Sequence, residues 1–291
     1  MRRLVLFVAL FGLLLFGACT DDSPTVEPDG EDAAGDEEAE PEVQKLSFDA
    51  ADYSYDVPSK VNDGTVELTM KNVGKEIHIA AIGRVKDGRT FAEAAADLQS
   101  PTPPANPAAD TESIGGIAST SPGLSSTVTL LLQPGTYYFA CFIPAPDGAP
   151  HAAKGMVESF EVVDVDVAPA AAPTAVAKVV GKEFSYSTDD ELKAGEQVVE
   201  FANEGTQGHE ITLLEFAAGK GPADLQAFFE NPTGPPPATF YGGPVAGILP
   251  VTWRTPKLVA GKSYFFMCLI PDSADGVPHA AKGMVLPVAV T

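Results

Sequence analysis

The sequence is poor in the residues from which most metal and catalytic sites are built. Its 291 residues include only 3 Cys, 4 His and 1 Trp. A reaction centre assembled from many histidines is therefore excluded. Basic residues are also scarce, with 18 Lys+Arg against 40 Asp+Glu and a formal net charge of −22. Nucleic-acid binding needs a cationic surface that displaces counterions from phosphates, so no nucleic acid is expected as a partner.

The first apolar run is too short to span a bilayer. It covers Leu4–Ala18, follows Arg2 and Arg3, and is shorter than the roughly 20 residues of a membrane-spanning helix. This pattern predicts an export signal in residues 1–18. The ending Gly17-Ala18-Cys19 resembles the lipobox of bacterial lipoproteins, which implies that Cys19 is lipidated and becomes the mature N-terminus. An ordinary signal peptide or an uncleaved anchor with an incidental Cys is the alternative.

The segment that follows the signal cannot form a core. Residues 20–43 contain many acidic side chains, no basic residue and no aromatic residue. Such a segment buries too little apolar surface to offset its chain entropy, and its charges repel one another. We therefore predict a disordered acidic tether over residues 19–44. Together with a lipid at Cys19, it would hold the folded part at the outer face of the cell membrane.

The rest of the chain contains one unit twice. Residues 72–78 and 203–209 both read N-x-G-x3-H, and residues 150–156 and 278–284 both read Pro-His-Ala-Ala-Lys-Gly-Met. Seven identical residues in one order are not a chance match. The repeat predicts two domains, at 45–164 and 178–291, joined by an Ala/Pro linker at 165–177.

Short β-forming segments punctuated by Gly and Pro fill both units. This pattern favours an all-β fold of two tandem β-sandwiches. One helical insertion is expected in each unit, at residues 91–98 and 223–230. The predicted strands include Thr65–Met70, Thr127–Leu132, Thr136–Cys141, Val157–Val163, Gln197–Phe201, Ser263–Cys268 and Val285–Val290.

Two cysteines and all four histidines fall into the same pattern in both units. Each unit places one His after the N-x-G turn and closes with Cys, His and Met, spaced C-x9-H-x4-M or C-x10-H-x4-M. A thiolate, two imidazoles and a distant thioether suit copper, whereas zinc sites seldom use a thioether. The candidate copper ligands are His78, Cys141, His151 and Met156 in the first unit, and His209, Cys268, His279 and Met284 in the second.

This arrangement resembles the cupredoxin family, the blue copper proteins such as plastocyanin and azurin. The resemblance rests on the distant His and on the Cys-His-Met loop before the last strand, over roughly residues 45–164 and 178–291. It implies a Greek-key β-sandwich in each unit, a type 1 copper in each, and one-electron transfer with a redox partner protein that the sequence does not identify.

Other functions use the same residues differently. The ligands could store or deliver copper, or the chain could be a metal-free structural pair of sandwiches with a disulfide between Cys141 and Cys268. We expect no enzyme, because a copper oxidase or nitrite reductase needs additional histidines and only a site shared with another chain could supply them. Met267 is expected in the core, and Lys154 and Lys282 as solvated loop charges.

Overall fold

The computed structural model describes residues 41–100, 111–188, 190–231, 233–247 and 249–291. The predicted signal peptide, the lipid site at Cys19 and the tether up to residue 40 lie outside these residues. Residues Glu40–Thr291 form one compact unit. Within the described ranges, no helix is both long and apolar enough to cross a membrane.

The first repeat is built almost entirely from β-strands. Its elements are β1 (Gln44–Ala51), β2 (Ser54–Asp56), β3 (Lys60–Asn62), β4 (Gly64–Asn72), β5 (His78–Val85), α1 (Phe91–Leu98), β6 (Thr111–Thr120), β7 (Ser125–Leu132), β8 (Gly135–Ala140) and β9 (Val157–Val163).

The second repeat follows a similar order with mostly shorter or interrupted strands. Its elements are β10 (Ala177–Lys182), β11 (Ser185–Ser187), β12 (Val198–Asn203), β13 (His209–Glu210), β14 (Thr212–Phe216), α2 (Pro222–Glu230), β15 (Ala238–Phe240), β16 (Pro244–Ala246), β17 (Val251–Arg254), β18 (Tyr264–Met267) and β19 (Val285–Val288). The expected all-β fold is thereby confirmed.

Each repeat packs two β-layers face to face. In the first repeat, β2-β1-β4-β7 form one layer and β6-β5-β8-β9-β3 form the other. Apolar side chains from both layers fill the space between them, as shown by Phe48 of β1, whose ring centroid lies 4.8 Å from that of Phe139 of β8. Burial of these side chains is the main force that holds the layers together.

Local sequence signals set the limits of both helices. Helix α1 begins where predicted, after Thr90, whose hydroxyl accepts from the Glu93 N–H while the Glu93 carboxylate accepts from the Thr90 N–H. This reciprocal pair satisfies N–H groups that have no partner inside the helix. Helix α2 begins one residue earlier than predicted, because Pro222 suits the first helical position.

The two repeats share their sheets. Strand β7 of the first repeat pairs with β17 of the second, and β6 pairs with β16. Side chains reinforce this junction: the Trp253 indole N–H donates to the Ser126 hydroxyl at 3.2 Å, and Arg254 pairs with Glu67 at 2.7 Å. Backbone hydrogen bonds therefore run from one repeat into the other. The domain limits at 164 and 178 stay predictions.

Replacing Gly116 by Ala tests how closely the strands meet at this junction. Gly116 lies in β6 between β5 and β16, with φ +139°, and a Cβ there would collide with the carbonyl oxygen of Ala80. We expect a loss of about 2–4 kcal/mol in the free energy of unfolding.

The matched control is Gly123→Ala, because Gly123 also has a positive φ (+79°) but has open space around it. We expect this change to cost about 1 kcal/mol, from backbone strain alone. Urea denaturation of the metal-free protein measures both, and equal losses would contradict the proposed collision.

Candidate metal centres

Strand pairing brings the first three candidate ligands together. Strands β5 and β8 are antiparallel neighbours, so the start of β5 lies beside the end of β8. His78 is the first residue of β5, and Cys141 directly follows β8. His151 opens a short 3-10 turn that folds back over Cys141. The equivalent elements of the second repeat bring His209, Cys268 and His279 together.

The N-x-G motif shapes the loop that carries the distant His. The buried Asn72 side chain donates to the carbonyl oxygens of Glu76 and Thr120, both at 2.8 Å, and accepts from the Gly74 N–H at 2.9 Å. A Cβ on Gly74 would lie only 2.6 Å from His78 Nε2. The Asn thus fixes the turn, and the Gly leaves room for the imidazole. Asn203 and Gly205 do the same for His209.

Backbone hydrogen bonds fix the Cys-His-Met loop. The N–H of Cys141 donates to the Met156 carbonyl at 3.2 Å, that of Ala152 to the Cys141 carbonyl at 2.7 Å, and that of Met156 to the His151 carbonyl at 3.0 Å. The loop of the second repeat has the same bonds between its equivalent residues. The polypeptide itself therefore holds the ligands in place.

The two lysines are loop charges as expected, and each also forms ion pairs within its own loop. Lys154 pairs with Asp147 at 2.5 Å and lies over the Tyr53 ring. Lys282 pairs with Asp272 and with Asp275, and lies over the Phe184 ring. Each lysine therefore forms ion pairs with acidic residues of its own loop, and these ion pairs link the two ends of the loop.

The donor atoms of both triads have the same spacing. In the first repeat, the two imidazole Nδ1 atoms are 3.1 Å apart, and Cys141 Sγ lies 3.9 Å from Nδ1 of His78 and 3.4 Å from Nδ1 of His151. The second triad gives the same three distances. A triangle with these sides has a circumscribed radius of about 2 Å, close to the bond length of a transition metal to nitrogen or sulfur.

Burial sets the protonation of the triads. It raises the pKa of the Cys141 thiol to about 11 and raises that of Cys268 further. It also lowers the pKa values of His78, His209 and His279. These three imidazoles therefore keep a free lone pair, and each thiol keeps its proton unless a cation displaces it. One thiol and two imidazoles without solvent access fit copper, which would supply a Cu(I)/Cu(II) couple there.

The methionines occupy the positions that the pattern predicts. Met156 and Met284 are completely buried, and both are tied by backbone hydrogen bonds to the Cys and the second His of their own repeat. Ligation by their sulfur atoms stays a prediction. Met267, expected in the core, is 3% exposed.

Both cysteines of the described residues are free thiols. Each lies in its own triad, so the disulfide of the metal-free alternative does not form. The structure supports copper binding at two sites.

The sequence analysis missed the acidic residues around the first triad. His78 Nε2 lies 3.2 Å from a carboxylate oxygen of Asp52, and His151 Nε2 lies 2.9 Å from one of Glu76. Tyr53 donates to the other oxygen of Glu76 at 2.8 Å. Burial pushes the pKa of Asp52 upward, but the N–H groups of Lys75 and Glu76 and the His78 ring outweigh it and hold the pKa below its usual value.

The second triad has different surroundings. Glu183, the counterpart of Asp52, likewise accepts from two residues of the turn, Thr206 and Gln207, but it is 3.9 Å from His209 Nε2. Gln207, the counterpart of Glu76, accepts from the Ser273 N–H. Within the described residues, the Nε2 atoms of His209 and His279 are buried without a hydrogen-bond partner. An alignment of the two repeats would have shown both differences, Asp52 against Glu183 and Glu76 against Gln207.

A carboxyl group unique to the second repeat lies beside Cys268. Glu210 is 3% exposed and accepts from the Leu269 N–H and the Thr212 hydroxyl, both at 3.1 Å. Burial raises its pKa to about 7. The equivalent residue of the first repeat is Ile79.

A groove of about 600 Å³ also lies beside the second triad. It separates α2 from the loop between Cys268 and His279. Leu225 and Phe229 line one wall, and Val277 and Pro278 line the other. The groove therefore offers an apolar surface close to His279.

Comparison with known proteins finds similar solved structures. Reduced auracyanin from the photosynthetic bacterium Roseiflexus castenholzii matches at 25% identity over 41% of this chain and 97% of its own, with a TM-score of 0.30. A multicopper oxidase matches at 15% identity over 86% of this chain and 89% of its own, with a TM-score of 0.26. Copper nitrite reductase from Nitrosomonas europaea matches at 15% identity over 86% and 94%, with a TM-score of 0.26.

No protein-family model and no curated protein matches the sequence. The expected cupredoxin-like fold is confirmed, since each repeat is a β-sandwich whose Cys-His-Met loop directly precedes the last strand. The assignment of copper to this chain rests on the donor atoms of its own two triads.

The expectation that the chain is not an enzyme is wrong. The structures that match 86% of this chain are named as a multicopper oxidase and a copper nitrite reductase. The expectation came from counting histidines within one chain, and that count cannot exclude a centre completed by residues of another chain.

Replacing Asn72 by Ala tests whether the N-x-G turn positions His78. The change leaves two carbonyl groups and one N–H group without their partner, so we expect a loss of about 2–3 kcal/mol in the free energy of unfolding. Copper affinity of the first centre should fall roughly tenfold or more, because its ligand is less well oriented.

The control is Asn62→Ala, at an exposed position of β3, where we expect a change within about 0.5 kcal/mol. Thermal unfolding and competition with a copper chelator measure the two quantities. Unchanged copper affinity in the Asn72 variant would show that the loop does not orient His78.

Proposed function

We propose that this chain is a membrane-anchored copper protein that carries single electrons, with one type 1 copper centre in each repeat. The observation that supports this most strongly is the pair of buried His-Cys-His triads with the same three donor distances. One thiolate with two imidazoles is the ligand set of blue copper sites.

The rigidity of the triads favours electron transfer over copper storage. All six donor residues are completely buried, and backbone hydrogen bonds fix the loops that carry them. A protein that delivers copper must open its site to release the ion. A carrier instead gains from ligands that stay in place when the charge of the metal changes, because little reorganisation is then needed.

Different residues of this chain have different roles at each centre. The Cys and the two His would bind the metal, and the buried Met would supply a thioether ligand. Asn72 and Asn203 orient the distant His. The β-layers and the closed loops exclude water from the donor atoms.

The proposed anchor rests on Cys19 and the acidic segment after it, and the proposed docking rests on the acidic surface. A lipid at Cys19 and the acidic tether would hold the folded part at the outer face of the cell membrane. The acidic surface suits a redox partner with a basic docking patch, since opposite charges steer the encounter. The apolar groove beside His279 gives such a partner a place near the second centre.

Replacing each ligand Cys by Ser tests the two centres separately. The full chain should bind about two copper ions and turn blue on addition of Cu(II), from the thiolate–copper charge transfer. Cys141→Ser and Cys268→Ser should each remove one copper and part of the colour, and the double variant should remove both. Metal analysis and visible absorption measure these quantities.

The outcomes separate the functions. Copper binding without the blue colour would favour storage or delivery. A chain that takes up no copper would be a structural pair of β-sandwiches, and the proposal would be wrong.

The variant Cys19→Ser is a matched control and also tests the anchor. It removes a thiol outside both triads, so copper content and colour should not change. If Cys19 carries the lipid, the variant should move from the membrane fraction to the soluble exported fraction. Persistence of the variant in the membrane fraction would contradict lipid anchoring at this residue.

A further inference from the structure

The two centres have the same types of donor atom, but their imidazoles contact different groups. A ring that ligates through Nδ1 carries its proton on Nε2. In the first centre, the Nε2–H groups of His78 and His151 point to the carboxylates of Asp52 and Glu76, at 3.2 and 2.9 Å. In the second centre, the equivalent Nε2 atoms have no hydrogen-bond partner among the described residues.

This difference changes how strongly each ligand set stabilises the more highly charged oxidation state of its metal. A carboxylate that accepts from an imidazole raises the basicity of the ring, so the ring donates more electron density to its metal. Both carboxylates also bring negative charge to a buried site, where it is weakly screened. Both effects stabilise Cu(II) relative to Cu(I) in the first centre. In the second centre the hydrogen bonds are missing, and the carboxylate near an imidazole is that of Glu183, 3.9 Å from His209 Nε2.

We propose that Asp52 and Glu76 are positioning residues that make the first centre the one with the lower reduction potential, so that a single electron resides at the second centre. The proposal rests on the proposed function, because it requires copper in both repeats. Reduction of either centre takes up one electron, changes Cu(II) to Cu(I) and breaks no bond.

The other charges near the triads do not cancel this difference. Lys154 and Lys282 occupy equivalent positions, and each is paired with carboxylates of its own loop. Glu183 accepts from the N–H groups of Thr206 and Gln207, as Asp52 does from those of Lys75 and Glu76, but its carboxylate lies 3.9 Å from His209 Nε2, beyond hydrogen-bond distance. Glu210 lies near Cys268, but it contacts Leu269 and Thr212 rather than an imidazole.

The test compares single-centre variants of the full chain, each loaded with copper. Cys268→Ser leaves only the first centre, and Cys141→Ser leaves only the second. Spectroelectrochemical titration of the blue band then gives the potential of each. We expect the first centre to be harder to reduce by at least tenfold in the equilibrium constant, which is 59 mV for a one-electron couple.

Second variants assign the difference to the carboxylates. In the Cys268→Ser background, Asp52→Asn and Glu76→Gln should each raise the potential of the first centre; Gln is also the residue that the second repeat has at this position. The matched control is Glu183→Gln in the Cys141→Ser background. It removes one negative charge near His209 without removing a hydrogen bond to the ring, so its shift should be smaller.

The failures can be told apart. Loss of the blue colour from both parent variants would contradict the proposed function itself. Two blue centres with equal potentials, or a first centre that is easier to reduce, would overturn this inference alone. If a carboxylate variant loses its copper, the potentials of the two parent variants still show whether the first centre is the harder one to reduce. A Glu183→Gln shift as large as that of Asp52→Asn would show that charge near the ring, and not the hydrogen bond, sets the potential.

Discussion

Both metal centres depend on the antiparallel pairing of two strands. In the first repeat, Ala81 of β5 pairs with Ala140 of β8, and this pairing sets His78 beside Cys141 although 62 residues separate them in the chain. In the second repeat, Thr212 of β14 pairs with Met267 of β18 and sets His209 beside Cys268 in the same way. Without this register, the Cys-His-Met loop would offer ligands from one side only.

The junction of the repeats links the surroundings of the two centres. His78 pairs with Thr120 of β6, and Thr120 forms an isolated β-bridge with Tyr241 of the second repeat. The Tyr241 N–H donates to the carbonyl of Leu213 at 2.9 Å, and Leu213 pairs with Phe266 of β18, two residues before Cys268. A continuous series of paired backbone groups thus joins one centre to the other through the shared sheets.

Much of the fold and the donor set could be predicted from the sequence because the signals are local or repeated. Residues 91–98 combine a capping pair with a helix-forming segment, and the structure has a helix with those limits. Residues 157–163 are rich in β-forming Val and Phe, and they form a strand. The triads were found because Cys and His are so rare that the same order in two repeats left few other assignments.

The contacts of Asp52 and Glu76 could not be predicted in this way. Both are ordinary acidic residues in an acidic chain, and nothing within a few residues of them indicates a partner at position 78 or 151. The shared sheets escaped prediction for the same reason, since β7 and β17 lie more than a hundred residues apart.

The sequence by itself determined the β-rich repeat, its helical insertions and which side chains can bind a soft metal, because these depend on residue type and short spacing. Only the tertiary structure decided that the two sandwiches share sheets and that, among the described residues, the imidazoles of the first centre alone lie within hydrogen-bond distance of carboxylates. Those contacts depend on strand register and on the direction of single side chains, which long-range packing sets.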